Sequence, residues 1–258
     1  MRTLLLTIAY DGRPYHGWQI QHNANTVQNE LQAALKDTFG ELPPIKGCSR
    51  TDTGVHARRF CVSLETQCAI PCERVIPALN CRLPRSIAVI GCREVPQGFH
   101  ARYSAQGKQY SYEIWNAAVK NPFLDGLATH IPDRPQPLDA ERMKQNGLPL
   151  LGRHDFAAFQ AAGSDVRDTV RTVSEFDVVR EGDMVKIIIA ADGFLYNMVR
   201  IIAGTLIDME RGRIEHGTMA QIIASGQRER AGATAPPDGL YLTDVRYSER
   251  SLRMGNAE

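Results

Sequence analysis

The sequence predicts an α+β protein of two domains, each built from a mostly antiparallel sheet flanked by helices. Strand-type alternation and helix-type periodicity interleave along the whole chain, and the same strand-helix-strand rhythm runs through both halves without any repeat at the residue level. A length of 258 residues, 43% of them hydrophobic, is enough for one large or two small cores. The change of series falls near residues 100 to 107, so the predicted domains are residues 1–104 and 105–258.

The elements follow in order. Thr3 to Tyr10 is apolar and rich in β-formers, and Asp11-Gly12 supplies the turn that ends it. A helix comes next: Asn25 and Gln28 have the spacing of a capping box, Val27, Leu31, Ala34, Leu35 and Phe39 recur at helical intervals, and Gly40 stops the pattern. Phe60, Val62 and Leu64 alternate with Cys61, Ser63 and Glu65 as a half-buried strand does, so Gly47 to Arg58 reads as the loop leading into it. Pro71 to Asn80 suits a short helix with proline at its start, and Ser86 to Val95 another strand.

The second series opens with a strand over Lys108 to Asn116 and a helix over Leu138 to Asn146. Arg171 to Arg180 and Val185 to Ala191 then form a hairpin around Glu181-Gly182-Asp183. Leu195 to Glu210 is the longest helical pattern, with Met198, Ile201, Ile202, Thr205, Leu206 and Met209 along one side. A short helix over Ala220 to Ala224 and a strand over Leu240 to Tyr247 complete it.

Composition removes several classes. Mean hydropathy is −0.29, no run approaches the roughly 18 apolar residues of a membrane helix, and the first residues lack a signal-peptide pattern, so a cytoplasmic protein is expected. The cysteines, Cys48, Cys61, Cys68, Cys72, Cys81 and Cys92, include no CxxC pair and read as reduced thiols; no metal site is expected. Net charge is +1, but it is unevenly spread: Ile45 to Tyr110 holds ten cations against four acids. Arginine supplies 24 of the 30 cations, and its planar fork suits phosphates and base edges. High arginine content can equally reflect genome composition.

One stretch is crowded with polar groups: GCSRTDTGVHARR, Gly47 to Arg59, sets Asp52 among Arg50, His56, Arg58 and Arg59. Neighbouring positive charge favours the ionised carboxylate, as a nucleophile or base toward carbon requires. A turn whose Asp bonds the backbone of Thr53 and Gly54 would produce the same residues. His56 is a candidate general base or a structural hydrogen-bonder, and His100 reads similarly. His154-Asp155 suggests a dyad but reads as structural, because adjacent residues point apart.

Arg50-Thr51-Asp52-x-Gly54-Val55-His56-Ala57 resembles the catalytic motif of the TruA-type tRNA pseudouridine synthases. AYDGRPYHGWQ (Ala9 to Gln19), FHARYSA (Phe99 to Ala105), KQYSY (Lys108 to Tyr112), GRHDFAAF (Gly152 to Phe159) and GFLYNMVRIIAGTL (Gly193 to Leu206) are similar to family segments in the family order. Thr53 stands where the family often has Ala. The resemblance spans nearly the whole chain. It implies the pseudouridine synthase fold with an active-site cleft between the domains, and an isomerase that converts uridine to pseudouridine at positions 38, 39 and 40 of the tRNA anticodon stem-loop. It also implies a homodimer and no cofactor.

Carried over to this chain, the resemblance makes Asp52 the catalytic carboxylate, Tyr110 the active-site tyrosine and Arg200 the basic partner of the carboxylate. A base acted on inside a stem must be extruded and restacked on an aromatic face, which suits Tyr110, with Tyr112 as the alternative two residues along the same face. Arg50, Arg58, Gly107, Lys108, Gln109, Ser111, Arg167 and Arg171 are the remaining candidate RNA contacts. Two other classes fit parts of the pattern: an RNA-binding protein without catalysis, and an Asp-dependent hydrolase, which would want a second carboxylate or a metal.

Overall fold

A computed structural model describes residues 1–164 and 166–253. The chain divides into two compact units. Unit 1 comprises Met1–Gln106 together with the chain from Leu242 onward, and unit 2 comprises Gly107–Tyr241. The sequence keeps residues 105–258 together, whereas compactness returns the last strand to unit 1.

Unit 1 begins with β1 (Arg2–Tyr10), α1 (Val27–Phe39), β2 (Ile45–Gly47), β3 (His56–Thr66), α2 (Cys72–Asn80) and β4 (Ile87–Val95). β1 lies between β4 and β3, antiparallel to both, so that Leu4 faces Leu64 and Leu6 faces Val62. Between β1 and β4 the register moves from Thr7–Gly91 to Ile8–Val89, which leaves Ile90 as a bulged residue, 49% exposed. β2 pairs with β3, and its three residues are too short to leave a periodic signal.

The cap of α1 is Thr26 rather than Asn25: its side chain accepts the N–H of Asn29, and Gly40 ends the helix in the left-handed region at φ 72°. The α1 face of Val27, Leu31 and Leu35 and the α2 face of Val75 and Leu79 are buried with Leu4, Leu6, Ile8 and Phe60. Asn80 ties the end of α2 to β4, exchanging two hydrogen bonds with the backbone of Val89.

Unit 2 contains β5 (Ala105–Trp115, whose first two residues fall in unit 1), β6 (Thr129–His130), α3 (Ala140–Gly147), β7 (Gly152–Asp155), β8 (Val170–Glu181), β9 (Met184–Ala191), α4 (Met198–Glu210) and α5 (Met219–Ser225). Its strands run in the order β5-β9-β8-β7, all antiparallel, with β6 added parallel to β5. The β8–β9 hairpin turns at Gly182, φ 61°, where the sequence places it. Finally β10 (Leu240–Tyr247) leaves unit 2 and its Leu242–Tyr247 stretch lies beside β3, followed by α6 (Glu249–Leu252).

The sequence reads α4 as a helix from Leu195 with one apolar side. It starts at Met198, because Asn197 is left-handed at φ 59°, and every residue in it except Arg200 is buried. The side expected to be polar is covered by the segment Gly232 to Ala235. A methyl group on Gly204 would stand 1.7 Å from the carbonyl oxygen of Ala233. Asp208 and Glu210 are held by hydrogen bonds: Asp208 accepts the N–H of Ala233 and pairs with Arg213, while Glu210 receives two bonds from Arg142 and one from the N–H of Asp139.

No helix among the described residues is long and apolar enough to cross a membrane. The six cysteines are all free.

Tyr112, fully buried on β5, shares a hydrogen bond of 2.6 Å with Thr129 and donates one of 2.9 Å to the carbonyl of Pro236. Tyr112→Phe leaves that carbonyl without its donor in the core. The expected loss is about 1–3 kcal/mol of stability, read as a lower urea midpoint at an unchanged slope.

Candidate active site

In unit 1 the chain between β2 and β3 is irregular from Cys48 to Val55, and it is cast against the segment that follows β1. Trp18 N–H donates to the carbonyl of Thr51 at 3.1 Å, the Tyr10 hydroxyl and Thr51 Oγ1 lie 2.7 Å apart, and Val55 N–H closes a turn onto the carbonyl of Asp52 at 3.1 Å. Gly54, at φ 78°, donates its N–H to the carbonyl of Tyr15. A methyl group on Gly12 would meet the carbonyl oxygen of Val55 at 2.1 Å; one on Gly17, itself at φ 88°, would meet that of Thr51 at 2.4 Å. The Asp52 backbone is thereby fixed while its side chain is half-exposed.

His56 is almost wholly buried, and its Nδ1 accepts the N–H of Gly12 at 3.1 Å. With Nδ1 an acceptor the ring is neutral and its proton sits on Nε2. The 3.4 Å approach of Asp11 to the same nitrogen is then a loose contact. Burial pushes the Asp11 carboxyl up, but hydrogen bonds and charge from Arg13 outweigh it and hold the group below its ordinary pKa. His56 is a strut between loop and strand.

Arg58 and Arg59 are both exposed although they are neighbours on a strand. The cause is a bulge: Ile8 faces Phe60 but Tyr10 faces Ala57, so two residues of β3 stand opposite one of β1. Arg59 pairs with Asp244 of β10 at 3.2 Å. Arg50, ahead of Asp52, is exposed as well. The carboxylate therefore sits on a rigid loop whose near cations reach solvent, an arrangement suited to a polyanionic substrate.

In unit 2 the pleat of β5 sorts the candidates. Lys108, Tyr110 and Tyr112 share one face, and Gly107, Gln109 and Ser111 the other. Tyr112 is committed to the core by the bonds given above, which makes it a packing residue. Tyr110, 6% exposed, meets the ring of Phe194 edge-on with centroids 5.0 Å apart. Lys108, half-exposed, stands opposite Ala191, and a methyl group on Gly107 would lie 3.1 Å from the carbonyl oxygen of that residue. On the far face Gln109 donates to Glu175 at 3.2 Å, while the buried Ser111 hydroxyl has no hydrogen-bond partner among the described residues.

Arg200 is the one residue of α4 that is not buried. Its Nε donates to the carbonyl of Ala235 at 2.7 Å and a terminal nitrogen donates to Asn197 Oδ1 at 2.8 Å. Both partners are neutral, so the guanidinium is oriented without being neutralised, which favours an anion nearby. Arg171 is held through the carbonyls of Asp168 and Val170 beside Gly193, and Arg167 is exposed. His154 and Asp155 do not form a dyad: His154 bonds the carbonyl of Leu151, and Asp155 accepts from Thr169 and the N–H of Ala157. Among the described residues no group of three His, Cys, Asp or Glu could hold a metal ion.

A family model described as tRNA pseudouridine synthase matches residues 6–104 and 149–248. The matched spans contain Asp52, Arg58, Arg171 and Arg200 but not Tyr110. A protein named tRNA pseudouridine synthase A from Thermoanaerobacter sp. (strain X514) is 45% identical over 247 residues, 96% of this chain and 100% of that protein. One of the same name from Ruminiclostridium cellulolyticum is 46% identical over 248 residues, again 96% and 100%. A chain from the crystal structure of a Cbf5–Nop10–Gar1 complex aligns with 93% of this chain and 48% of its own length at 13% identity and a TM-score of 0.38.

Gly17→Ala places a methyl group inside contact distance of the Thr51 carbonyl and strains a left-handed residue. The variant is expected to lose about 1–3 kcal/mol. Amide hydrogen exchange should quicken at Trp18 and Val55, whose bonds define the loop, while the interior amides of β1 keep their protection.

Proposed function

This chain belongs to the tRNA pseudouridine synthase family, and from that premise we propose that it converts uridine to pseudouridine at positions 38, 39 and 40 of the tRNA anticodon stem-loop, with Asp52 as the catalytic carboxylate. The observation that carries the reading is identity of 45% along essentially the full length of a tRNA pseudouridine synthase A, joined to a loop that fixes an acid among exposed arginines. A binding protein has no use for a carboxylate on a fixed loop in a basic setting.

The reaction breaks the bond between uracil N1 and ribose C1′, turns the base, and forms the bond from C5 to C1′. The C5 proton is lost and N1 gains one, so the sum is an isomerisation that needs neither oxidant nor hydrolytic water. Asp52 serves as nucleophile or as base in the covalent step. Tyr110 offers a ring to the extruded uracil. Arg200 meets negative charge at the reacting centre. Arg50 holds the flipped nucleotide or fills the gap it leaves, and Arg58, Arg167 and Arg171 take phosphates. Lys108 adds positive charge on the face of Tyr110, and Gly107, Gln109 and Ser111 contribute the backbone of the same strand. The working unit is a homodimer in the cytoplasm, since two subunits offer the basic surface that one lacks.

The test is release of tritium from tRNA labelled at uridine C5. Wild type is expected to release it, and Asp52→Asn to release none while keeping its melting temperature and its affinity for tRNA. Turnover by Asp52→Asn would remove Asp52 from the chemistry. Absence of release by wild type, with tRNA still bound, would leave only a binding protein.

A further inference from the structure

Unit 1 contains a groove that, apart from Arg50, takes no part in the roles above. It is a recess of about 220 Å³ floored by Trp18 and Gly47 and rimmed by Lys46, Arg50, Arg102 and Tyr103. That volume is below the roughly 300–1,000 Å³ of sites that enclose a whole drug-sized ligand, and it suits one flat group. The floor is sterically set: a side chain on Gly47 would run into the Trp18 indole at 2.6 Å, and that indole lies against Phe60 with centroids 4.3 Å apart.

The rim has two properties that belong together. No acidic residue lines the groove, and Lys46, Arg50 and Arg102, all exposed, carry no ion pair among the described residues. Tyr103 is 77% exposed, and its ring packs against that of His100, which also lines the groove, at a centroid distance of 4.3 Å, with the Arg102 guanidinium 5.9 Å from its centre. His100 is oriented in turn, because its Nδ1 accepts the N–H of Arg102 at 3.1 Å and of Tyr103 at 3.4 Å. Burial, then the charges of Lys46 and Arg102, hold its pKa below the ordinary value. An open aromatic face beside unpaired cations is what an unstacked base and its phosphates require. A duplex would present phosphates without a free base to lie on the ring.

We propose that this groove seats one unpaired nucleotide of the RNA substrate, adjacent to the nucleotide that reaches the Asp52 loop, with its base on the open face of Tyr103 and its phosphates on Lys46, Arg50 and Arg102. From the reading above it takes that the partner is RNA and that one of its nucleotides reaches the Asp52 loop. Arg50 lies two residues before Asp52 and joins the groove to the loop, so the groove extends the Asp52 site along the strand.

The experiment compares wild type, Tyr103→Phe, Tyr103→Ala and Arg102→Ala in binding to an unmodified tRNA transcript across a salt series, with single-turnover tritium release at saturating enzyme. Tyr103→Ala is expected to bind about tenfold more weakly with its saturated rate little changed, and Tyr103→Phe to match wild type. Arg102→Ala should lower the slope of log affinity against log salt by about 1. Matched melting temperatures establish that the variants are folded, as the exposure of both side chains implies. Unaltered binding by Tyr103→Ala, or equal losses by Tyr103→Ala and Tyr103→Phe, would overturn the stacking platform. A wild type that releases tritium with Tyr103→Ala binding normally defeats the groove alone; Tyr103-dependent binding without tritium release upholds the groove and defeats the isomerase reading alone.

Discussion

Backbone lies directly on backbone where Gly12 and Gly17 pass against the stretch Thr51 to Val55, at a separation that one methyl group would abolish. Much of unit 1 depends on that contact. It lets Trp18 and Tyr15 present main-chain groups to the Asp52 loop, and it brings Tyr10 to Thr51 and Gly12 to His56. Unit 2 uses the same device on α4. Gly204 and Gly232 let the segment ending at Ala235 lie on the helix, and the Ala235 carbonyl then fixes Arg200. In each unit a polar side chain of interest is aimed by peptide groups whose positions are determined by missing side chains. Such positioning is stiffer than a side-chain contact, because neither partner has a rotamer to change.

The charge around Asp52 is distributed by strand geometry as much as by composition. Alternation would have turned one of Arg58 and Arg59 inward, where an unpaired guanidinium is costly. The bulge opposite Ala9 removes that conflict and turns both outward. A basic surface and a hydrophobic sheet interior thus coexist on adjacent residues of one strand.

Long periodic elements are legible in the amino-acid sequence. β1, β5, the β8–β9 hairpin and the apolar face of α1 follow from spacing alone, whereas the residues leave His56 open as a base or a strut. The features that spacing does not reveal are set by contacts distant in sequence. β2 and β7 are too short to show a period. The bulge at Arg58 depends on pairing with β1, and charged residues give no hint of it. Thr26 displaces Asn25 as the cap of α1 because both neighbours are good caps and only the backbone direction chooses. α4 reads as amphipathic because its second side is covered by a segment nearly 30 residues later; the small residues Ala203, Gly204 and Thr205 are the available clue. The segment Ala9 to Gln19 stands out in sequence for its likeness to a family, while its physical task, holding the Asp52 loop, emerges only from the glycine contacts. The groove at Tyr103 draws on three segments that stand out in the sequence, but nothing in their spacing shows that Trp18, Lys46 and Arg102 come together, which only the fold does.

The return of β10 to unit 1 has a temporal side. Unit 2 is one uninterrupted stretch and can close as soon as it leaves the ribosome, but the sheet that carries the Asp52 loop waits for a strand made after unit 2 is finished. During synthesis the β3 edge beside which Leu242–Tyr247 later lies is without that neighbour, and an unpaired edge is the kind of surface on which nascent chains misassociate. A nascent chain that stops short of the last strand would carry every arginine of the Asp52 loop and still lack the neighbour that completes its sheet and supplies Asp244 to Arg59.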